Sequence, residues 1–217
     1  MSAIDLLDMF QRELALCKVG PGQVMAVLTG PNSRADYAAA FVAAGQRLGA
    51  EVFRLDLPPA AQDASQTPTT AQGALWGRTP LTGHRSGVEM LKRVDMLVDL
   101  VGLLHSPEQV EIQRAGARVL MVVEPPEILA RMFPREGNRE RVEAGGRRLA
   151  RAKQLRITNR AGTDLTYQLG QYSKTPILQY GYTDQPGRWD HFPGAFVYTW
   201  PNEGQSNGTI VLAPGDI

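Results

Sequence analysis

Between Gly20 and Val123 the chain repeats one pattern: a short apolar run bounded by turn residues, then a stretch with helical spacing. Val24-Met25-Ala26-Val27-Leu28 is the first such run, and Val52 to Leu57, Met96 to Val101 and Val119 to Val123 follow it. Unbroken apolarity suits a strand covered on both faces, as in a parallel sheet. Arg34 to Leu48 and Val88 to Val94 read as intervening helices, the first closed by Gly49 as C-cap. A leading amphipathic helix runs from Ser2 to Cys17, with Ser2 and Asp5 as a capping-box-like start. Ser106-Pro107-Glu108-Gln109 is the clearest local signal. Ser caps, Pro takes the first helical position, and Gln109 can reach back. Pro125-Pro126 then breaks the chain before a short helix over Ile128–Phe133, and a basic helix runs from about Asn138 to Lys153. Strands alternating with helices imply an α/β fold, a Rossmann-like parallel sheet flanked by helices.

Beyond Leu155 the pattern changes. Arg156–Asn159, Asp164–Leu169, Phe196–Trp200 and Thr209–Leu212 read as short strands between Gly, Pro and Asn turns. The expected organisation is an α/β domain over residues 1–153 and the beginning of a β-rich second domain over 154–217. Because the sequence stops just after a strand, that second domain is expected to be truncated. Pro58 to Arg78 has no periodicity and reads as a long loop.

Composition excludes several classes of function. Lys+Arg 23 against Asp+Glu 22 leaves a net charge of +1, so no bulk field favours nucleic acid or an anionic membrane. The single cysteine, Cys17, permits neither an internal disulfide nor a cysteine-cluster zinc site, and its place on the apolar side of a helix suggests packing. No apolar run approaches the roughly 18 residues that span a bilayer, and no basic-then-apolar leader opens the chain, so a cytoplasmic location is expected.

The chemistry-bearing residues are sparse. No phosphate-binding glycine loop, nucleophile elbow or His-Glu-x-x-His motif is present. Thr29-Gly30-Pro31-Asn32-Ser33 follows the first strand, where such folds bind ligands, but reads as a plain β–α turn. Of the three histidines, His84 simply opens a helix. His105 lies between the third strand and the capped helix, at the ligand-collecting edge of an open α/β sheet. Close to a helix N-terminus, its imidazole would be pushed towards the neutral, proton-accepting form. The residues alone favour a plainer reading, a loop histidine bonded to a backbone carbonyl. His191 stands in Gly187-Arg188-Trp189-Asp190-His191-Phe192-Pro193. That loop suits an aromatic or anionic ligand and equally suits plugging a domain interface. The arginines of the helix near 139–151 interleave with Glu140 and Glu143 and read as a solvated face.

Several segments carry a family resemblance. Gly162-Thr163-Asp164-Leu165-Thr166, Phe192-Pro193-Gly194, Val197-Tyr198-Thr199-Trp200-Pro201-Asn202-Glu203 and Asn207-Gly208-Thr209-Ile210-Val211 resemble the aminopeptidase T superfamily. Within it, Leu103-Leu104-His105-Ser106-Pro107-Glu108-Gln109, Val123-Glu124-Pro125-Pro126-Glu127-Ile128-Leu129-Ala130-Arg131-Met132, Leu169-Gly170-Gln171-Tyr172 and Pro186-Gly187-Arg188-Trp189-Asp190-His191 resemble the 2,5-dihydroxypyridine 5,6-dioxygenases. The resemblance implies a mononuclear iron(II), extradiol-type ring-opening enzyme of nicotinic acid degradation. It would act on a small aromatic substrate with O₂ and be a homo-oligomer. It implies His105 as the base that deprotonates the substrate hydroxyl, with His191, Arg188 and Trp189 lining the substrate pocket. The two His and one Asp that hold iron in this family have no counterpart in residues 1–217, so this stretch alone is expected to be inactive. A metallopeptidase of the same superfamily is the first alternative. It is disfavoured because Phe196 stands where the peptidases carry a metal-binding Glu, and a phenyl ring cannot ligate a cation. A non-catalytic oligomerisation or binding module is the second.

Overall fold

A computed structural model describes residues 5–59, 79–202 and 204–212. The Ser2 cap, most of the long aperiodic stretch and the last five residues lie outside that range. The chain forms two compact units, residues 1–134 with 180–194 and residues 135–179 with 195–217.

The first unit runs α1 (Leu6–Leu16), β1 (Val24–Thr29), α2 (Ala35–Arg47), β2 (Glu51–Asp56), α3 (Arg85–Leu91), β3 (Met96–Asp99), α4 (Pro107–Arg114), β4 (Arg118–Val122) and α5 (Pro126–Arg131). The second unit contributes α6 (Asn138–Leu149), β5 (Gln154–Thr158), β6 (Asp164–Gln168) and β7 (Ile177–Gln179). The chain then re-enters the first unit for β8 (Trp189–Phe192) and ends in the second with β9 (Phe196–Tyr198) and β10 (Asn207–Thr209).

A five-stranded parallel sheet, ordered β2-β1-β3-β4-β8, is the frame of the first unit. The period of two sorts its side chains into two cores. Met25, Val27, Met96, Val98, Leu120, Val122 and Phe192 face α1 and α2, where Phe10 stacks on Phe41 with centroids 3.8 Å apart. Ala26, Leu28, Leu97 and Val119 face the other way, towards Val88, Leu91 and Ile112 of α3 and α4. β2 is an edge strand and only partly buried, which is why its sequence mixes Arg54 and Asp56 with apolar residues. Helix α1 starts at Asp5, whose carboxylate accepts from the N–H groups of Leu7 and Asp8 at 3.0 and 3.1 Å. Cys17 caps its far end, fully buried as packing.

In the second unit β10-β6-β5 and β7-β9 form two small antiparallel sheets. A single domain boundary after residue 153 differs from this arrangement in two ways. Helix α6 belongs with the strands that follow it, because Gly145 and Gly146 let Val197 and Leu178 pack against its backbone. Trp189-Asp190-His191-Phe192, read from the sequence as a loop, is the fifth parallel strand. Its polar residues hid an alternation in which Asp190 and Phe192 are buried and Trp189 and His191 partly so. Among the described residues no helix is long and apolar enough to cross a membrane.

The return of the chain depends on one close backbone approach. A Cβ on Gly194 would sit 2.5 Å from the Cα of Gly181, itself held at φ 92°. Gly194→Ala is therefore expected to cost about 2–3 kcal/mol, the upper range for overpacking. Gly20→Ala, where nothing lies within 4 Å, serves as the control. Urea midpoints of the two variants check this.

Candidate active site

The turn after β3 is organised by one carboxylate. Asp99 is fully buried and accepts from the backbone N–H groups of Val101, Gly102 and Leu103 at 2.9, 2.9 and 2.7 Å. Burial raises its pKa, against the pull of those three donors. The chain leaves the turn through Leu104 and His105, both left-handed, with φ of 43° and 62°. Two consecutive non-glycine residues in that region are strained, and such strain concentrates where a side chain must be presented. Ser106 and Pro107 start α4 as the sequence signal indicates, with the Ser106 hydroxyl accepting from Gln109 N–H at 3.2 Å. Gln109, however, reaches one residue further back than a capping box requires. Its Oε1 accepts from the N–H of His105 at 2.9 Å, while Ser106 N–H is taken by the Leu103 carbonyl.

His105 thus stands at the carboxyl end of a parallel strand, with its ring against the Trp189 indole, centroids 4.5 Å apart and planes inclined by 56°. Desolvation lowers the His105 pKa below its ordinary value, although the residue as a whole remains exposed. At neutral pH the ring is therefore uncharged and able to accept a proton.

Trp189 and His191 project from the same face of β8, two residues apart. The His191 ring is mostly buried, and its Nε2 lies 3.7 Å from Oε1 of Glu124, just beyond β4. Burial lowers the His191 pKa, and the Glu124 carboxylate pulls it back up. Tyr37 fixes Glu124 by donating to its carbonyl at 2.7 Å.

Arg188 is placed differently. Its guanidinium donates to Asp190 at 2.8 Å and lies 4.1 Å from the Tyr180 ring centroid. Asp190 is fully buried and also accepts from the N–H groups of Tyr180, Gly181 and His191 at 3.0, 3.0 and 2.9 Å. Of the four residues singled out in the sequence, the structure brings His105 and Trp189 into contact and sets His191 beside them in register. It commits Arg188 to holding the strand. His84 is exposed at the start of α3. Ser33 ties the first turn to the Leu100 carbonyl at 2.7 Å, as in an ordinary β–α turn.

Sequence reasoning missed Asp99 and Glu124, and it placed the reach of Gln109 one residue short. The available signal was an acid closing an apolar strand just before Gly102, since an acid there needs donors. Among the described residues no group of three or more His, Cys, Asp or Glu side chains could hold a metal ion.

Comparison with known proteins shows the family. The profile of one family, NicX (2,5-dihydroxypyridine 5,6-dioxygenase), matches residues 5–217. The chain belongs to the NicX family. A 2,5-dihydroxypyridine 5,6-dioxygenase of Pseudomonas putida KT2440 is 42% identical over 221 residues, covering 100% of this chain and 61% of the relative. A solved 2,5-dihydroxypyridine dioxygenase from Pseudomonas putida KT2440 superposes with a TM-score of 0.82 at 39% identity, over 97% of this chain and 59% of that one. The chain thus spans about three-fifths of the length of these NicX relatives. Wild-type AmpT from Thermus thermophilus aligns with a TM-score of 0.50 at 15% identity, over 94% of this chain and 63% of that one, a likeness of fold alone.

Two outcomes follow. Asp190→Ala leaves the buried N–H groups of Tyr180 and Gly181, the half-buried one of His191 and Arg188 without this acceptor, and is expected to cost about 3–5 kcal/mol in thermal or urea unfolding. Trp189→Ala removes the indole that dries the His105 ring, so the His105 titration midpoint should rise towards 6.5. Histidine NMR as a function of pH measures that directly.

Proposed function

We propose that this chain is the N-terminal part of a dioxygenase that opens 2,5-dihydroxypyridine with O₂ to N-formylmaleamic acid, an extradiol-type reaction of nicotinic acid degradation. His105 is its general base. The observation that carries the reading is the His105–Trp189 contact at the carboxyl end of β3. A neutral imidazole is held there in a strained loop, in a chain of the NicX family. The proton of a ring hydroxyl moves to the imidazole, and the oxygen keeps the electron pair as an electron-rich phenolate-type anion. Trp189 offers the flat apolar surface an aromatic ring would need, and His191 with Glu124 offers a polar edge beside it.

Iron(II) is part of the proposal, but the described residues do not supply a ligand set for it. Its ligands would come from polypeptide other than residues 1–217.

His105→Ala in the full-length protein should lower kcat for oxygen uptake with 2,5-dihydroxypyridine by roughly 10²-fold or more. Uptake within a factor of two of the unaltered protein would refute the base. The sign of the pH effect follows from the lowered pKa. The active, neutral form is lost only as pH falls through the folded-state value, so the acid limb of kcat/KM should lie below 6.5.

A further inference from the structure

The N–H of His105 is the first member of a chain of side-chain amides. It donates to Gln109 Oε1 at 2.9 Å. Gln109 Nε2 donates to Gln113 Oε1 at 3.0 Å, and Gln113 Nε2 donates to the carbonyl of Gly187 at 2.8 Å. The spacing of four places both glutamines on one face of α4. Each end of the wire fixes its direction. A backbone N–H must meet an amide oxygen, and a backbone carbonyl must meet an amide nitrogen. Both glutamines therefore have a single orientation, and neither can flip without breaking two bonds. Gln109 is fully buried, so an unmade bond there is expensive. Gly187 is itself locked onto the other end of α4, donating to the Gly116 carbonyl at 2.9 Å. It lies two residues before Trp189, the residue on which the His105 ring rests.

We propose that Gln109 and Gln113 are positioning residues that set the imidazole of His105 against Trp189. The wire joins the backbone of one partner to the turn that delivers the other. It holds the strained left-handed conformation of His105 in register with β8, and bonds in series polarise one another. The catalytic meaning of this inference rests on His105 acting as the base proposed above; the positioning itself does not.

Gln113→Met keeps the volume of the side chain and removes both of its bonds. In full-length, metal-free protein labelled at histidine, the His105 ring resonances should carry a ring-current displacement from the indole. That displacement should fall by at least half in Gln113→Met, which lowers the melting temperature by stranding the Gln109 amide and the Gly187 carbonyl but leaves the circular dichroism spectrum of the folded protein unchanged. Retention of the full displacement in the variant overturns the proposal. A second measurement needs no variant: in the unaltered protein the His105 amide should exchange with solvent at least tenfold more slowly than that of Leu104, and equal rates overturn it. The oxygen-uptake rate separates this inference from the functional one. A kcat reduced about tenfold or more with little change in KM supports both. A lost ring-current displacement with unchanged kcat supports the positioning role and refutes the base.

Discussion

Three backbone N–H groups in succession, those of Val101, Gly102 and Leu103, converge on the carboxylate of Asp99 inside the protein. Removing a carboxylate from water is costly unless donors replace the solvent, and here the turn itself provides them. The arrangement admits one path for the chain, because each donor comes from a different peptide plane. The strain at Leu104 and His105 can persist only because the turn before them and α4 after them leave no alternative. The place of the imidazole is thus decided by a carboxylate that does not touch it.

Asp190 does the same for the other wall. It gathers the N–H groups of Tyr180, Gly181 and His191 together with the guanidinium of Arg188, which brings the chain back across the edge of the sheet and into register with β4. With its polar atoms satisfied on one side, β8 can present Trp189 and His191 on the other. Segments far apart in sequence, those of His105 and Trp189, thereby share one surface, and α4 lies between them as a spacer tied at both ends.

Most of the parallel sheet could be read directly from the sequence. Met25–Leu28, Met96–Asp99 and Val119–Val122 are buried on both faces and so advertise themselves as mostly apolar runs. Ser106-Pro107 marked the start of α4 because capping is a local interaction. β8 was hidden, since a strand whose buried members include an aspartate does not look apolar until its donors are known. The membership of α6 was hidden too, because a Gly-Gly pair in a helix reads as weakness until the side chains of Leu178 and Val197 are seen against it. Within the site, His105 stood out by its position after a strand, whereas Glu124 and Gln113 had no local signature.

The sequence by itself determined the alternation of strand and helix, the two-sided burial of the sheet, the cap that starts α4 and the edge of the sheet where His105 would stand. Each follows from interactions within a few residues or from the period of the side chains. Only the tertiary structure decided that Trp189 would meet His105, that Glu124 would face His191, and that Arg188 would be drawn to Asp190 and Tyr180. Those contacts depend on where distant backbone donors fall in space, and buried carboxylates and amides choose among them by the cost of any donor or acceptor left unmatched.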